Sequence, residues 1–333
     1  MKKWYKIFVI VVILALATLV FSVSASTEDK IGLMVSVGGR GDASLNDVTY
    51  FGARAAADKF GLKLDFVEPG GIADFESILR DFAINGEYVV IIATGFLATE
   101  ALIEVAAEFP DQKFIMVYGV VEAPNIASTV FRDEECAYLL GVIAGMMTQT
   151  NRLAFIGGMD MPIMQKFNLA FEAGARLANP DVVVDHSFVG AFDDPVKGKE
   201  HALAHFARGA DIIGHAAGKS GLGLLKAAVE TDNLAFAFDT CSCHLHPDHI
   251  IASAVTGVEI GVTRLVNAIL EGRFEPGIHT FGVADGLPGI CPLWKDHECG
   301  GMVELPAIVK ATVIGIRQMI IDGEISVPGV PVE

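Results

Sequence analysis

Short apolar runs rich in Val and Ile alternate with helical periodicities along most of the chain, the signature of parallel βαβ units. Ile31 to Val37 reads as a strand, followed by a Gly38-Gly39-Arg40-Gly41 turn and a helix reaching Phe60. Strands are predicted next at Leu64 to Val67, Tyr88 to Ala93, Lys113 to Val117 and Asn125 to Val130, with helices at Phe75 to Ile84 and Thr99 to Phe109. The pattern then restarts: Arg152 to Ile156 reads as a strand, Gly157-Gly158 follows, and a helix runs over Gln165 to Leu177. Val182 to Ser187, Ile212 to His215, Ala235 to Phe238 and Ile250 to Val255 are the further strands of this second series. One open sheet of ten strands is less economical than two similar α/β lobes. Ligands of such sheets bind at the carboxyl ends of the strands, so two facing sheets make a cleft that a hinge can close.

The N-terminus departs from this alternation. Lys2, Lys3 and Lys6 precede an apolar run from Ile7 to Phe21, and Val23-Ser24-Ala25 supplies the small residues of a cleavage site. Residues 1–25 therefore read as a secretory signal peptide, with an uncleaved membrane anchor as the alternative. Past residue 26 no run approaches 18 unbroken apolar residues, and the first cysteine, Cys136, is far from the position a lipid-anchored protein would need. Export permits disulfides among Cys136, Cys241, Cys243, Cys291 and Cys299, and the odd count leaves at least one unpaired. Over the 333 residues, 24 Lys and Arg against 41 Asp and Glu give a net charge of −17, which argues against a nucleic-acid partner.

The loops after the strands carry a resemblance. GGRGDASLNDVTYFGARAAA (38–57), TGFLATEALIEVAAEFPDQKF (94–114), NIASTVFRDEECAYLLGVIAGMMTQTNRLAFIGGM (125–159), KFNLAFEAGARLANPDV (166–182), GAFDDPVKGKEHA (190–202) and GADIIGHAAGKSGLGLL (209–225) occur in the order seen in one family. They resemble segments of the basic membrane protein family, the PnrA/TmpC/Med-like substrate-binding proteins of ABC nucleoside importers. The resemblance implies an α/β type I periplasmic-binding-protein fold, two Rossmann-like lobes joined by a three-segment hinge. It places lobe 1 at residues 30–130 plus 257–283, and lobe 2 at 131–255 plus 285–333.

The same resemblance puts Asp42, Ser44 and Asn46 where the first strand–helix turn meets the ligand. Gly38, Gly39 and Gly41 allow close backbone approach there, and Ser44 with Asp47 has capping-box spacing, so Asn46 is expected to bind and Ser44 to cap. Asp239 falls at the family's ligand-binding aspartate, where a carboxylate can accept from a ribose diol or base N–H groups. Phe96 matches a position beside the pocket, and Gly218 lies in the Ala216-Ala217-Gly218 turn. Several positions depart from the family: Ser36 and Tyr118 replace aspartates, Leu45 replaces a stacking Phe, Gly214 followed by His215 replaces an aromatic, and Thr256 and Gly257 stand near a lost Lys. Tyr118 and His215 are the residues expected to offer a different stacking surface and different hydrogen bonds.

Cys241-Ser-Cys243-His244-Leu-His246-Pro-Asp-His249 is dense in metal-ligand types, but its spacing is not that of a structural zinc site. The competing expectations there are a disulfide or a plain loop, and Cys291 with Cys299 bound a segment that a disulfide would close. Gly214 to Ser220 is one residue short of a P-loop, no third glycine follows Gly39 and Gly41, and no nucleophile elbow is found. The chain thus reads as a monomeric, non-enzymatic receptor without cofactor, passing a purine nucleoside or nucleobase to an ABC permease. Riboflavin or another heterocycle is the alternative ligand, and sensing for a signalling partner the alternative role.

Overall fold

The computed structural model describes residues 29–286, 288–293 and 301–329. The predicted signal peptide and Cys299 lie outside the described residues, and among those described no helix is long and apolar enough to cross a membrane.

Two six-stranded sheets carry the fold. The first contains β1 (Lys30–Met34), β2 (Lys63–Val67), β3 (Tyr88–Thr94), β4 (Phe114–Val117), β5 (Ile126–Phe131) and β11 (Gly277–Phe281), in the order β2-β1-β3-β4-β5-β11. The second repeats that order with β6 (Arg152–Gly157), β7 (Val183–Phe188), β8 (Ile212–Ala216), β9 (Leu234–Ala237), β10 (Ile250–Val255) and β12 (Gly289–Cys291), as β7-β6-β8-β9-β10-β12. All pairings are parallel except β10 with β12, so each sheet is a doubly wound layer that brings its strand ends to one edge.

The inner strands are apolar on both faces because helices cover both, whereas the edge strands β2, β7 and β11 are partly polar and exposed. In the first sheet Ile31, Leu33, Val90 and Ile92 pack under α1 (Leu45–Phe60) and α8 (Val258–Leu270). Met34, Ile91 and Ala93 pack under α2 (Phe75–Asn85) and α3 (Thr99–Glu108). In the second, α4 (Asp133–Met147), α5 (Pro162–Ala178) and α9 (Ala307–Ile321) cover one face, and α6 (Pro195–Ala207) and α7 (Gly221–Glu230) the other. Burial of successive side chains on both sides is what a parallel sheet requires. The helices α4 and α5 approach so closely that a Cβ on Gly174 would lie 1.9 Å from the Tyr138 carbonyl oxygen.

The chain passes between the sheets three times: after β5 through α4, after β10 through α8, and after β11 into β12. The expected strands are all present with ends shifted by a few residues. The first stops at Met34 rather than Val37, and Ser36 and Val37 beyond it line the cleft. The second-lobe helix starts three residues early, at Pro162, whose fixed φ suits the first helical turn.

Candidate ligand-binding cleft

A cavity of about 380 Å³ lies where the carboxyl ends of the two sheets face each other. The first sheet contributes the loops after β1, β3 and β4; the second contributes those after β6, β7, β8 and β9.

The loop after β1 is built around two side chains. Asp42 accepts the backbone N–H groups of Ser44 (2.9 Å), Asn46 (3.0 Å) and Asp47 (3.1 Å), satisfying the open end of α1. Burial still raises its carboxyl above the usual range, against the lowering effect of these donors. Asn46 accepts from Ser36 N (2.7 Å) and donates to the carbonyls of Val37 (3.2 Å) and Gly39 (3.0 Å). Both amide hydrogens are therefore committed to holding the loop. Asp47 accepts from Gly41 N and Ala43 N, each at 2.9 Å, so the expected Ser44–Asp47 capping box does not form. The roles expected of Asn46 and Ser44 exchange: Asn46 shapes the loop, and the Ser44 hydroxyl, making no cap, donates across the cleft to Asp239 Oδ2.

Asp239 follows β9 with φ at +71°, and Tyr118 follows β4 at +58°, left-handed conformations that residues with a Cβ seldom adopt. Burial pushes the Asp239 carboxyl up to about 7, with the Ser44 hydroxyl opposing the shift and Asp42 adding to it. Tyr118 donates to Asp133 Oδ2. Burial pushes the Asp133 carboxyl well above its usual range; the Tyr118 bond counteracts this, while Asp239, Glu134 and Glu135 reinforce it. Phe131 lies 5.0 Å from the Tyr118 ring, centroid to centroid.

Further contacts cross between the sheets. Lys219 Nζ donates to the Gly38 carbonyl (3.2 Å), Thr240 Oγ1 donates to the Ala43 carbonyl (2.9 Å), and Phe96 meets Phe192 edge to face with centroids 6.3 Å apart. The Lys219, Thr240 and Ser44–Asp239 bonds hold the loop spanning Gly38 to Ser44 against the second sheet, and Phe96–Phe192 joins the loop after β3 to it, a closed arrangement of the cleft. Gly158 makes room for Phe192, since a Cβ there would come within 2.3 Å of its ring.

Of the expected ligand residues, Asp42, Ser44, Leu45, Asn46, Phe96, Tyr118, Gly218 and Asp239 line this one cavity. His215 does not. Strand alternation puts Ala216 on the cavity side and turns His215 to the opposite face, beneath α7, where its ring would meet a Cβ on Gly221 at 2.3 Å. Both of its ring nitrogens are buried without hydrogen-bond partners among the described residues, and burial lowers its pKa to about 4. Sequence reasoning missed Asp133, Phe192 and Lys219. A signal existed for the first: Asp133-Glu134-Glu135 opens an otherwise apolar helix, and all three acids are buried.

The cysteines correct two expectations. Cys291 is bonded to Cys241, not to Cys299, and Cys243 is also a disulfide cysteine. Neither Cys241 nor Cys243 therefore presents the thiolate that the metal alternative with His244 and His246 required, and no cluster suited to a metal occurs among the described residues. Cys136 is the buried free thiol.

Residues 30–329 match the Bmp family, described as ABC transporter substrate-binding protein PnrA-like. An uncharacterized lipoprotein of Pyrococcus horikoshii is 30% identical over 275 residues, covering 78% of this chain and 68% of the relative. An ABC transporter nucleoside-binding protein, BmpA, of Lactococcus lactis is 26% identical over 325 residues, 91% of this chain and 90% of that one. Among solved structures, a solute-binding protein of an ABC transporter system from Aeropyrum pernix superimposes with a TM-score of 0.81 at 27% identity, covering 90% of this chain and 92% of its own. A transcriptional activator of the comK gene from Bacillus halodurans shares the fold, with a TM-score of 0.75 at 19% identity over 89% of this chain and 99% of that one.

Proposed function

The chain belongs to the PnrA-like family of ABC transporter substrate-binding proteins, and from that premise we propose that it captures a purine nucleoside or nucleobase outside the cytoplasm and delivers it to an ABC permease. The observation that carries the ligand class is the composition of the cavity wall. Aromatic side chains from both sheets (Phe96, Phe192, Phe238) line the same cavity as a carboxyl group, Asp239, which a hydroxyl from the other sheet holds in place. Flat π-faces take up a planar heterocycle, and a carboxyl at its edge accepts base N–H or ribose O–H groups. The volume is at the low end for small-molecule sites, about 300–1,000 Å³, which suits one bicyclic solute. The Lactococcus relative's description as nucleoside-binding supports the same reading. Ligand release to the permease requires that the cross-cleft contacts described above open, and no covalent chemistry is called for. The Cys241–Cys291 disulfide supports an oxidising location, and residues 1–28 contain no cysteine, so we assign any membrane attachment to the apolar run from Ile7 to Phe21.

Thermal unfolding with adenosine, guanosine, inosine, hypoxanthine and riboflavin, each at about 100-fold excess over Kd, tests the reading. A purine ligand should stabilise the protein by about 2.7 kcal/mol, raising Tm by several degrees. A rise with riboflavin and none with any purine would remove the purine assignment.

A further inference from the structure

The cavity contains a second carboxyl arranged like the first. Asp133 opens α4 directly after β5, at the first passage between the sheets, and is 2% exposed. Its Oδ2 accepts from Tyr118, and no other hydrogen bond or ion pair among the described residues reaches the carboxyl, although Asp133 lines the cavity. Asp239 is the same: Oδ2 accepts from Ser44, and its other oxygen has no protein partner among the described residues. Each carboxyl is thus oriented by one hydroxyl and leaves one oxygen for something else.

The neighbouring cations are directed elsewhere. Lys219 donates to the Gly38 carbonyl, Lys166 lies 3.3 Å from Glu134, and Arg132 lies 3.9 Å from Glu135. An unmatched carboxyl oxygen on an enclosed wall favours a donor and disfavours a negative charge.

We propose that Asp133 is a second ligand-contacting carboxyl, held in place by Tyr118 as a positioning residue. Together with Asp239 it selects an uncharged or cationic heterocycle offering N–H or O–H donors at two separate points, and rejects the phosphorylated form of the same compound. This rests on the reading of the cavity as a heterocycle site and narrows it. Tyr118 does not itself stack on the ligand in this scheme; its ring packs on Phe131 and its hydroxyl fixes the carboxyl.

The test is isothermal titration of wild type, Asp133→Asn and Tyr118→Phe with adenosine, guanosine and riboflavin and with the 5′-monophosphate of each. Whichever parent compound binds wild type should bind Asp133→Asn about 10- to 100-fold more weakly, the size of a hydrogen bond involving a charged or strongly polar partner. Its monophosphate should bind wild type at least about 100-fold more weakly than the parent, and Asp133→Asn should narrow that ratio about tenfold or more. Tyr118→Phe should narrow it in the same direction, and this decides the matter if Asp133→Asn does not fold. A purely structural role would lower Tm and leave the ratio unchanged, which overturns the proposal. So does an Asp133→Asn affinity within twofold of wild type, equal wild-type affinity for parent and monophosphate, or failure of all six compounds to bind. Binding of riboflavin alone ends the purine reading while the inference is scored on riboflavin.

Discussion

Replacing Asp239 by Asn should make the ligand-free protein more stable at pH 8, leave its stability nearly unchanged at pH 4, and weaken ligand binding at both. Burial places the folded-state pKa at about 7, against 3.8 for the unperturbed side chain. Between those values the folded protein keeps a proton that the unfolded chain has released. The stability associated with the protonated carboxyl is therefore fully present below about pH 4 and is lost as pH rises through 7. At about 1.36 kcal/mol for each tenfold difference in proton affinity between the folded and unfolded chain, the deficit reaches about 4 kcal/mol at and above neutral pH. That is an upper figure, because water in the cavity restores some solvation, and an effective difference of about 1–3 kcal/mol is expected. Asn is close to isosteric and can still accept from the Ser44 hydroxyl.

The measurement is urea unfolding of both proteins at pH 4, 6 and 8, with Kd for the compound that raises Tm determined on the same samples. The stability of the variant relative to wild type should climb from near zero at pH 4 to a gain of about 1–3 kcal/mol at pH 8, while affinity falls at least tenfold. A variant less stable than wild type at pH 8, or a difference that does not change with pH, refutes the claim that Asp239 is a carboxyl held in an unfavourable site for the sake of its ligand. Such a result would assign it a structural role.

Two further predictions use other parts of the fold. His215 is kept neutral, with its pKa lowered to about 4, so stability should fall as pH drops below 6.5; His215→Leu should remove up to about 3 kcal/mol of that loss at pH 4, read as a Tm gap between variant and wild type that widens on acidification. Removing the Cys241–Cys291 bond by paired serine substitution opens a tie spanning a sequence separation of 50 and should cost about 4 kcal/mol in denaturant unfolding. Because Cys241 stands two residues after Asp239, ligand affinity should fall as well; unchanged affinity would show that the bond serves stability alone.

The architecture was readable because it rests on many weak signals that agree. Every predicted strand is found, since the inner strands of a parallel sheet covered on both faces need apolar runs, and the repeated strand, Gly-Gly, helix opening announced two similar lobes; β11 and β12 lie beyond the expected strands. The loops at the right strand ends could be located for the same reason, because in a doubly wound sheet topology alone fixes where they gather. Eight of the nine expected residues line the cavity on that account. His215 failed on a single step of phase: Ala216, one residue on, faces the cavity, and a strand inverts its side chains at each residue.

Within the loops, position and role came apart for a physical reason. A polar residue near a turn can satisfy the backbone, span the cleft or meet a ligand, and which of these it does depends on partners far away in sequence. Ser44 reads locally as a cap, yet its partner is Asp239, 195 residues on. Asn46 reads as a free amide, yet three backbone groups of its own loop consume its hydrogen-bonding hydrogens and its oxygen. Tyr118 reads as a lost carboxylate, and in the fold its hydroxyl donates to Asp133, a carboxyl on the same cavity wall. The departures that the resemblance implies at Ser36, Leu45 and Tyr118 therefore leave a cavity that still holds carboxyls and aromatic rings. Asp133 at the start of α4 and Asp239 supply carboxyls to the wall, and Phe96, Phe192 and Phe238 supply its aromatic rings. If Asp133 and Asp239 together set specificity, placing Asp at position 118 should not add a third useful carboxyl: next to Asp133 and in range of Asp239 it would put another acid in an enclosed wall that already favours protonation.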